Sequence, residues 1–226
     1  MSAAIVPEST TTPPRTALVP PGRLGSWFSV LALPAWLSTF VALTLGYGVK
    51  SDVTGVVTPA QQAAYYQDNL AAAWVFALLS VVAILLLTLA PTLLGAAVWR
   101  LGQLRAPAAI AVVLGLTALV VELAGMADFI GLLTTPPDAL PGWVAALAEP
   151  DTNTLLNGIG WGAIDLAVPL IGVVLWRIRV LGRIGLVVAI IGGAIFLVTV
   201  PFLFFQPMVP AALLLALGIP LLRRRK

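Results

Sequence analysis

Cysteine and histidine are both absent from the 226 residues. The chain therefore forms no disulfide, carries no thiol nucleophile and lacks the histidine and cysteine ligands that hold zinc or haem. No cofactor is expected. Charge is scarce as well: Asp, Glu, Lys and Arg together make up 9% of the chain, where a soluble domain carries about 25%. What fills the sequence instead is apolar, 60% of residues, with a mean hydropathy of +1.06. A spanning helix takes about 20 apolar residues, and runs of that length occupy most of the chain. The runs are continuous and not alternating, which excludes a β-barrel. The fold class expected is all-α, a polytopic membrane helical bundle.

Residues 1–23, "MSAAIVPESTTTPPRTALVPPGR", are rich in Pro and Thr without apolar periodicity, and read as a disordered cytoplasmic arm. No basic start leads into a short apolar core with a small-residue cleavage site, so the arm does not resemble a signal peptide. A transmembrane domain over 24–222 and a basic tail over 223–226 follow. Within it six apolar runs are expected as helices, at 27–48, 70–99, 107–133, 154–176, 184–204 and 208–222. The second carries Pro91, which favours a kink or tilt. The sixth is short for a full crossing, and a re-entrant hairpin over the last two runs is the competing reading. Between the runs, 49–69 reads as a loop and 134–153 as a loop with room for a short surface helix.

Charge sets the expected orientation. Arg15, Arg23, Arg100, Arg105, Arg177, Arg179, Arg183 and the closing "RRRK" all fall on one side if six helices span with both termini inside. Lys50 alone falls opposite, with Asp52, Asp68, Asp138, Glu149 and Asp151. The positive-inside rule predicts that asymmetry, and five spans would export the tail. Trp27, Trp99 and Trp176 at one boundary, with Tyr47, Trp74 and Trp143 at the other, fit interfacial belts. Arginine outnumbers lysine ten to two, a bias of GC-rich bacterial genomes. The location expected is a bacterial inner (plasma) membrane, with the bilayer as partner and Arg223, Arg224, Arg225 and Lys226 attracting anionic headgroups. Nothing supports nucleic-acid binding.

The second run closes "LGAAVWR" and the fourth "IGVVLWR", 77 residues apart, and the sixth echoes them in "GIPLLRR". The match continues through Leu104 with Leu181 and Gly115 with Gly192. Three repeated helical hairpins sharing one closing signature would give this pattern. The plainer alternative is that Trp-Arg anchors any helix at the headgroups, with arginine snorkelling to phosphate. At "LGAAVWRLGQLRAPAAIAVVLGL" and "IGVVLWRIRVLGRIGLVVAIIGG" the chain resembles uncharacterised bacterial six-helix integral membrane proteins of the domain-of-unknown-function type. The resemblance covers helices two to five and brings no active site with it.

Three acids lie within or at the edge of the runs: Glu122, Asp128 and Asp165. No basic residue lies inside a run to pair with them, so each must hold a proton or face water or polar groups. At 1.5 Å per residue, Glu122 lies roughly 22 Å along its helix and Asp128 roughly 31 Å, an interfacial depth, while Asp165 lies roughly 16 Å along the antiparallel neighbour. Glu122 and Asp165 are therefore expected to meet. Asn157, Trp161 and Asp165 recur every four residues and share a face, with Thr154 above. Gly158 and Gly162 flank that stripe as helix-packing residues, and Pro169 lies one turn deeper. The expected ligand-binding or proton-coupling residues are Asp165, Glu122, Asn157 and Trp161, with no catalytic or metal site.

Three functions fit. The first is a membrane protein that binds or transports a small ligand with proton coupling. The second is a non-catalytic accessory or structural subunit, whose acids merely hold helices together. The third is a membrane-embedded acid catalyst such as an isoprenoid cyclase, in which one carboxyl protonates an alkene.

Overall fold

The computed structural model describes residues 20–46, 58–102, 104–200 and 207–223. These form eight helices: α1 (Pro20–Gly46), α2 (Pro59–Asp68), α3 (Leu70–Arg100), α4 (Arg105–Thr134), α5 (Gly142–Ala148), α6 (Pro150–Arg177), α7 (Arg183–Thr199) and α8 (Met208–Arg223). Four are long and apolar enough to cross a membrane, over Gly22–Ala42, Leu70–Arg100, Arg105–Thr134 and Thr154–Arg177. The other two apolar helices, α7 and α8, are shorter, at 17 and 16 residues.

Each expected run contains one apolar helix, and the surface helix expected within 134–153 is α5. Three boundaries differ. Helix α1 starts at Pro20, inside the expected disordered arm, because proline is well suited to a first helical turn, where its missing N–H is not needed. The start of α6 moves out to Pro150 for the same reason. The expected loop 49–69 holds the ten-residue α2, whose N-terminus is closed by a capping box: Gln61 N–H donates to Thr58 Oγ1 while Thr58 N–H donates to Gln61 Oε1. Most of the arm (1–19), residues 47–48 and 201–204 of the first and fifth runs, and the last three of the tail lie outside the described residues. Helix α3 runs unbroken through the buried Pro91.

Helix α1 packs on α3 and α8, α4 on α3 and α6, and α7 on α6 and more lightly on α8; three of these seams, α3 with α4, α6 with α7 and α8 with α1, form pairs with matching glycine contacts. A β-carbon added at Gly95 would sit 2.9 Å from the Ala108 carbonyl oxygen and 2.9 Å from Val112 Cγ2. Shifted by 77 residues, a β-carbon at Gly172 would sit 2.8 Å from the Gly185 carbonyl oxygen and 3.0 Å from Ala189 N. One at Gly218 would meet Ser26 O at 2.8 Å and Val30 Cγ2 at 2.9 Å. The return contacts match too, since Gly115 packs on Thr92 and Gly192 on Pro169, again 77 residues on. Even the turns agree: Gly102 N–H donates to the Trp99 carbonyl and Arg179 N–H to the Trp176 carbonyl, both acceptor–donor steps at positive φ. In lipid, where apolar side chains gain little by leaving the solvent, such small-residue contacts and the dispersion they permit hold helices together.

The glycine-bearing helices α3, α6 and α8 touch one another in the middle, and α1, α4 and α7 lie outside, in the grooves between them. At matching register, Val98, Leu175 and Leu221, then Leu94, Ile171 and Leu217, belong to one buried apolar cluster. They form a plug at one end of the molecule. That end carries Arg100, Arg105, Arg177, Arg183 and Arg223 at helix termini. The opposite end is capped by α2 and α5, which pack on α4 and on each other over a small core of Ala63, Leu132, Val144 and Ala148. Exposed charges described at that end, Asp68, Asp138 and Glu149, are all acidic.

Candidate functional site

Five buried side-chain atoms among the described residues have no hydrogen-bond partner: Trp36 Nε1, Ser80 Oγ, Glu122 Oε1, Asp128 Oδ1 and Asp165 Oδ2. A buried polar atom left unpaired costs about 1–3 kcal/mol, which singles these five out within an otherwise apolar bundle. Heights above the glycine contacts order them, at 1.5 Å per residue. Asp165 lies roughly 10 Å up, Trp36 roughly 15 Å, Glu122 roughly 18 Å, Ser80 roughly 22 Å and Asp128 roughly 27 Å. Unpaired polar atoms thus climb from the top of the apolar plug to the capped end.

Burial increases along the polar stripe on α6. Asn157 is exposed, Trp161 half-buried and Asp165 buried at 5% exposure. Pro169 has no N–H, so the Asp165 backbone carbonyl four residues back loses its helical donor. Asp165 therefore presents two acceptors at one level, its carboxyl and its carbonyl. Its counterpart in the other pair, 77 residues earlier, is Thr88, whose hydroxyl donates to the Ile84 carbonyl at 2.7 Å and is satisfied. Asn157 and Trp161 correspond to Ser80 and Ile84. At this position one pair carries a satisfied hydroxyl and the other a carboxyl with an unpartnered oxygen.

Trp161 reaches across the bundle to Trp36 of α1, ring centroids 5.1 Å apart and edge-to-face at 76°. The Trp36 indole N–H is an orphaned donor, at a height about one turn above Asp165. Nothing in the sequence reading pointed to Trp36. Its signal was available: "LPAWLSTF" puts a tryptophan mid-helix, away from both aromatic belts.

The expected meeting of Glu122 and Asp165 is not found. The Glu122 carboxyl lies against α6 at Gly160, where an added β-carbon would overlap Oε1. Gly160 and Asp165 are five residues apart, which turns them about 140° from each other around α6. Trp161 and the fully buried Ile164 and Val168 occupy the arc between them. Antiparallel neighbours at equal depth need not oppose each other, because depth fixes height and leaves rotation free. Glu122 thus occupies the α4–α6 seam, between the two matching helix pairs. Neither carboxyl has a charged neighbour among the described residues.

Asp128, expected at interfacial depth, is buried within the protein at 3% exposure, where α2 and α5 extend the fold beyond the helix ends. Gly160 and Gly172 are close approaches on α6, and Gly158 and Gly162, expected from the sequence as packing residues, are both buried. No protein-family model matches the chain, and comparison with curated proteins and with solved structures found no match.

Proposed function

We propose that this chain is a six-span membrane protein with both termini on the cytoplasmic side, and that it binds a small polar ligand and moves it with protons. The carrying observation is that Trp36 Nε1–H and the Asp165 carboxyl are both buried and unpartnered, on helices joined by the edge-to-face contact of Trp36 with Trp161, one turn above Asp165 on α6. Such a pair suits a small molecule with one hydrogen-bond acceptor and one donor. The carboxyl changes protonation as that donor arrives or leaves, which couples ligand to proton; intramembrane carboxyls commonly mark such relays. Sites at the interface of repeated helix units are a transporter habit, and Glu122, at the seam between two matching pairs, is a second proton-holding group, on a different face of α6 from Asp165. The arginine end is the cytoplasmic one by the positive-inside rule. Membership of the uncharacterised bacterial six-helix group fits this architecture.

A structural subunit is the second reading, favoured by one observation: Glu122 sits directly on the Gly160 backbone, as a helix-packing group would. The acid-catalyst reading needs two carboxyls around one alkene, and carboxyls on different faces of α6 give it no support.

Topology is testable at once, since the chain has no cysteine of its own. Single cysteines at Ser2 and Lys226 should resist impermeant maleimide in intact cells, while one at Asp138 should react; labelling of Lys226→Cys from outside would reject six spans. For the activity, uptake of any ligand retained through purification is measured in proteoliposomes under an imposed pH gradient. Asp165→Asn should abolish gradient-driven uptake, and uptake equal to wild type would reject the coupling.

A further inference from the structure

The matching glycine contacts give each outer helix a counterpart, residue by residue. Gly95 meets Ala108 O and Val112 Cγ2 while Gly218 meets Ser26 O and Val30 Cγ2, so Ser26 and Val30 of α1 stand where Ala108 and Val112 do on α4. Gly172, against Gly185 and Ala189, aligns α7 in the same way. The inner helices align too, but they differ in length. Helix α8 begins at Met208, which stands where α3 has Leu85 and α6 has Gly162. The turns of α3 over 70–84 and of α6 over 150–161 therefore have no counterpart in α8. Those turns cover α4. Its Leu119 and Leu123 pack in one cluster with Ala73 and Ala77 of α3, while Ala118 and Glu122 are buried, the latter against Gly160. On α1 and α7 the counterparts are bare. Leu37 and Val41, matching Leu119 and Leu123, are 48% and 51% exposed, and Val198, matching the half-buried Val121, is 67% exposed. Ile195, matching the fully buried Ala118, is partly exposed. At 1.5 Å per residue, α8 starts roughly 15 Å above the glycine contacts, level with Trp36 and Trp161. Both rings pack on the core and touch each other, yet both stay partly exposed. Above that level α1 and α7 flank a place that no helix takes among the described residues.

We propose that this vacancy is a lateral opening from the outer leaflet, and that what enters through it is a small lipid-soluble alcohol. Its apolar body lies between α1 and α7, and its hydroxyl points down toward Trp36 and Asp165. The inference rests on the Asp165 reading for the hydroxyl end alone. With the arginines at the inner headgroups, the opening lies in the outer part of a hydrocarbon core about 30 Å thick. No water is present there, so a molecule arriving from the side is one dissolved in lipid. The walls agree: Leu37, Val41, Ile195 and Val198 are all apolar and offer an ion or a sugar nothing to bind. A hydroxyl both donates and accepts. It can take the Trp36 indole proton or give its own to the Asp165 carboxylate, the two orphans beneath the opening. Entry from water is the less open approach, since α2 and α5 pack over α3, α4 and α6.

The probe is a diazirine-bearing octanol, photolysed with the full-length protein in phosphatidylcholine proteoliposomes and mapped by peptide mass spectrometry. Saturable labelling is expected at Val41, Ile195 and Trp161, displaced by unlabelled octanol. Val120, exposed on α4, should label without saturating. Val41→Trp and Val198→Trp fill the opening from exposed positions. Each should abolish the saturable labelling of Trp161 while the thermal midpoint stays at the wild-type value, and Val120→Trp should change neither. If Val41 labels without saturating, as Val120 does, the opening is ordinary lipid-facing surface; if Val41 does not label at all, protein covers it. Either result overturns the proposal, and so does labelling of Trp161 that persists in both filled variants. Octane, with the same chain and no hydroxyl, tests the alcohol. It should displace the probe less well than octanol does, a difference lost in Asp165→Asn. Equal displacement in wild type would overturn the assignment of an alcohol. Failure of the saturable labelling leaves the Asp165 reading standing, because uptake under a pH gradient is measured separately.

Discussion

Gly160→Ala places a methyl group where Glu122 Oε1 now sits. Overfilling a packed contact costs about 1–3 kcal/mol, while alanine returns about 1 kcal/mol over glycine in helix propensity. The single variant should therefore lose about 0–2 kcal/mol net. Shortening the acid removes the clash, so Glu122→Ala combined with Gly160→Ala should be less damaging than the two separate effects added together. A coupling of about 1–2 kcal/mol in a double-mutant cycle is expected, well above the 0.3–0.5 kcal/mol scatter of independent sites. Reversible unfolding in mixed micelles, followed by helical circular dichroism, supplies the four stabilities. Gly125→Ala, where an added β-carbon meets nothing within 4 Å, is the reference and should gain up to about 1 kcal/mol. Additive effects at positions 122 and 160 would mean that the Glu122 carboxyl does not lie on α6, and the separation of the two acids would have to be withdrawn.

At the arginine end, Gly185→Val drives two methyls into a spot where even a β-carbon would be 2.7 Å from the Gly172 carbonyl oxygen. It should lower the unfolding free energy by about 2–3 kcal/mol or abolish folding, and Gly193→Val, which faces open space, should not. Thr58→Ala removes the cap of α2 and should cost about 1 kcal/mol locally, seen as faster hydrogen exchange in 59–68 with little change in α3. Because the Tyr66 phenol is held above its usual value of 10, the folded state keeps that proton more tightly than the unfolded one. Its contribution is whole below pH 10 and falls away as pH rises through the higher folded value. Tyr66→Phe should flatten the loss of stability above pH 10, and an unchanged pH slope would show the phenol to be unburied.

Composition and run length were enough to reveal six apolar helices, because the requirement for about 20 apolar residues leaves a plain mark. The 77-residue repeat was visible too, through Trp99-Arg100 and Trp176-Arg177, and its contacts Gly95–Ala108 and Gly172–Gly185 turn a resemblance of letters into one of geometry. The third pair was hidden, since its partners, α8 and α1, come from opposite ends of the chain and only packing brings Gly218 to Ser26. Helix α2 was legible but passed over: Thr58-Pro59-x-Gln61 is a capping-box signature in a polar stretch without apolar periodicity. Rotation was the real loss. Spacing along a helix places Glu122 and Asp165 at comparable depths, yet which neighbour each faces depends on close approaches such as Gly160 that a single sequence does not announce. The burial of Asp128 was lost for a related reason, as the cap that covers it comes from segments between the membrane helices.

Whether the orphaned groups around Asp165 hold a ligand is decided most directly by native mass spectrometry of the protein released from mild detergent. Wild type should carry a small, reproducible non-lipid mass that Asp165→Asn and Trp36→Phe both lose, while Asp165→Thr, which restores the residue of the matching pair, folds normally without it. Identical bare spectra for wild type and both loss variants, with Asp165→Thr more stable than wild type, would contradict a binding site and leave Asp165 a packing group.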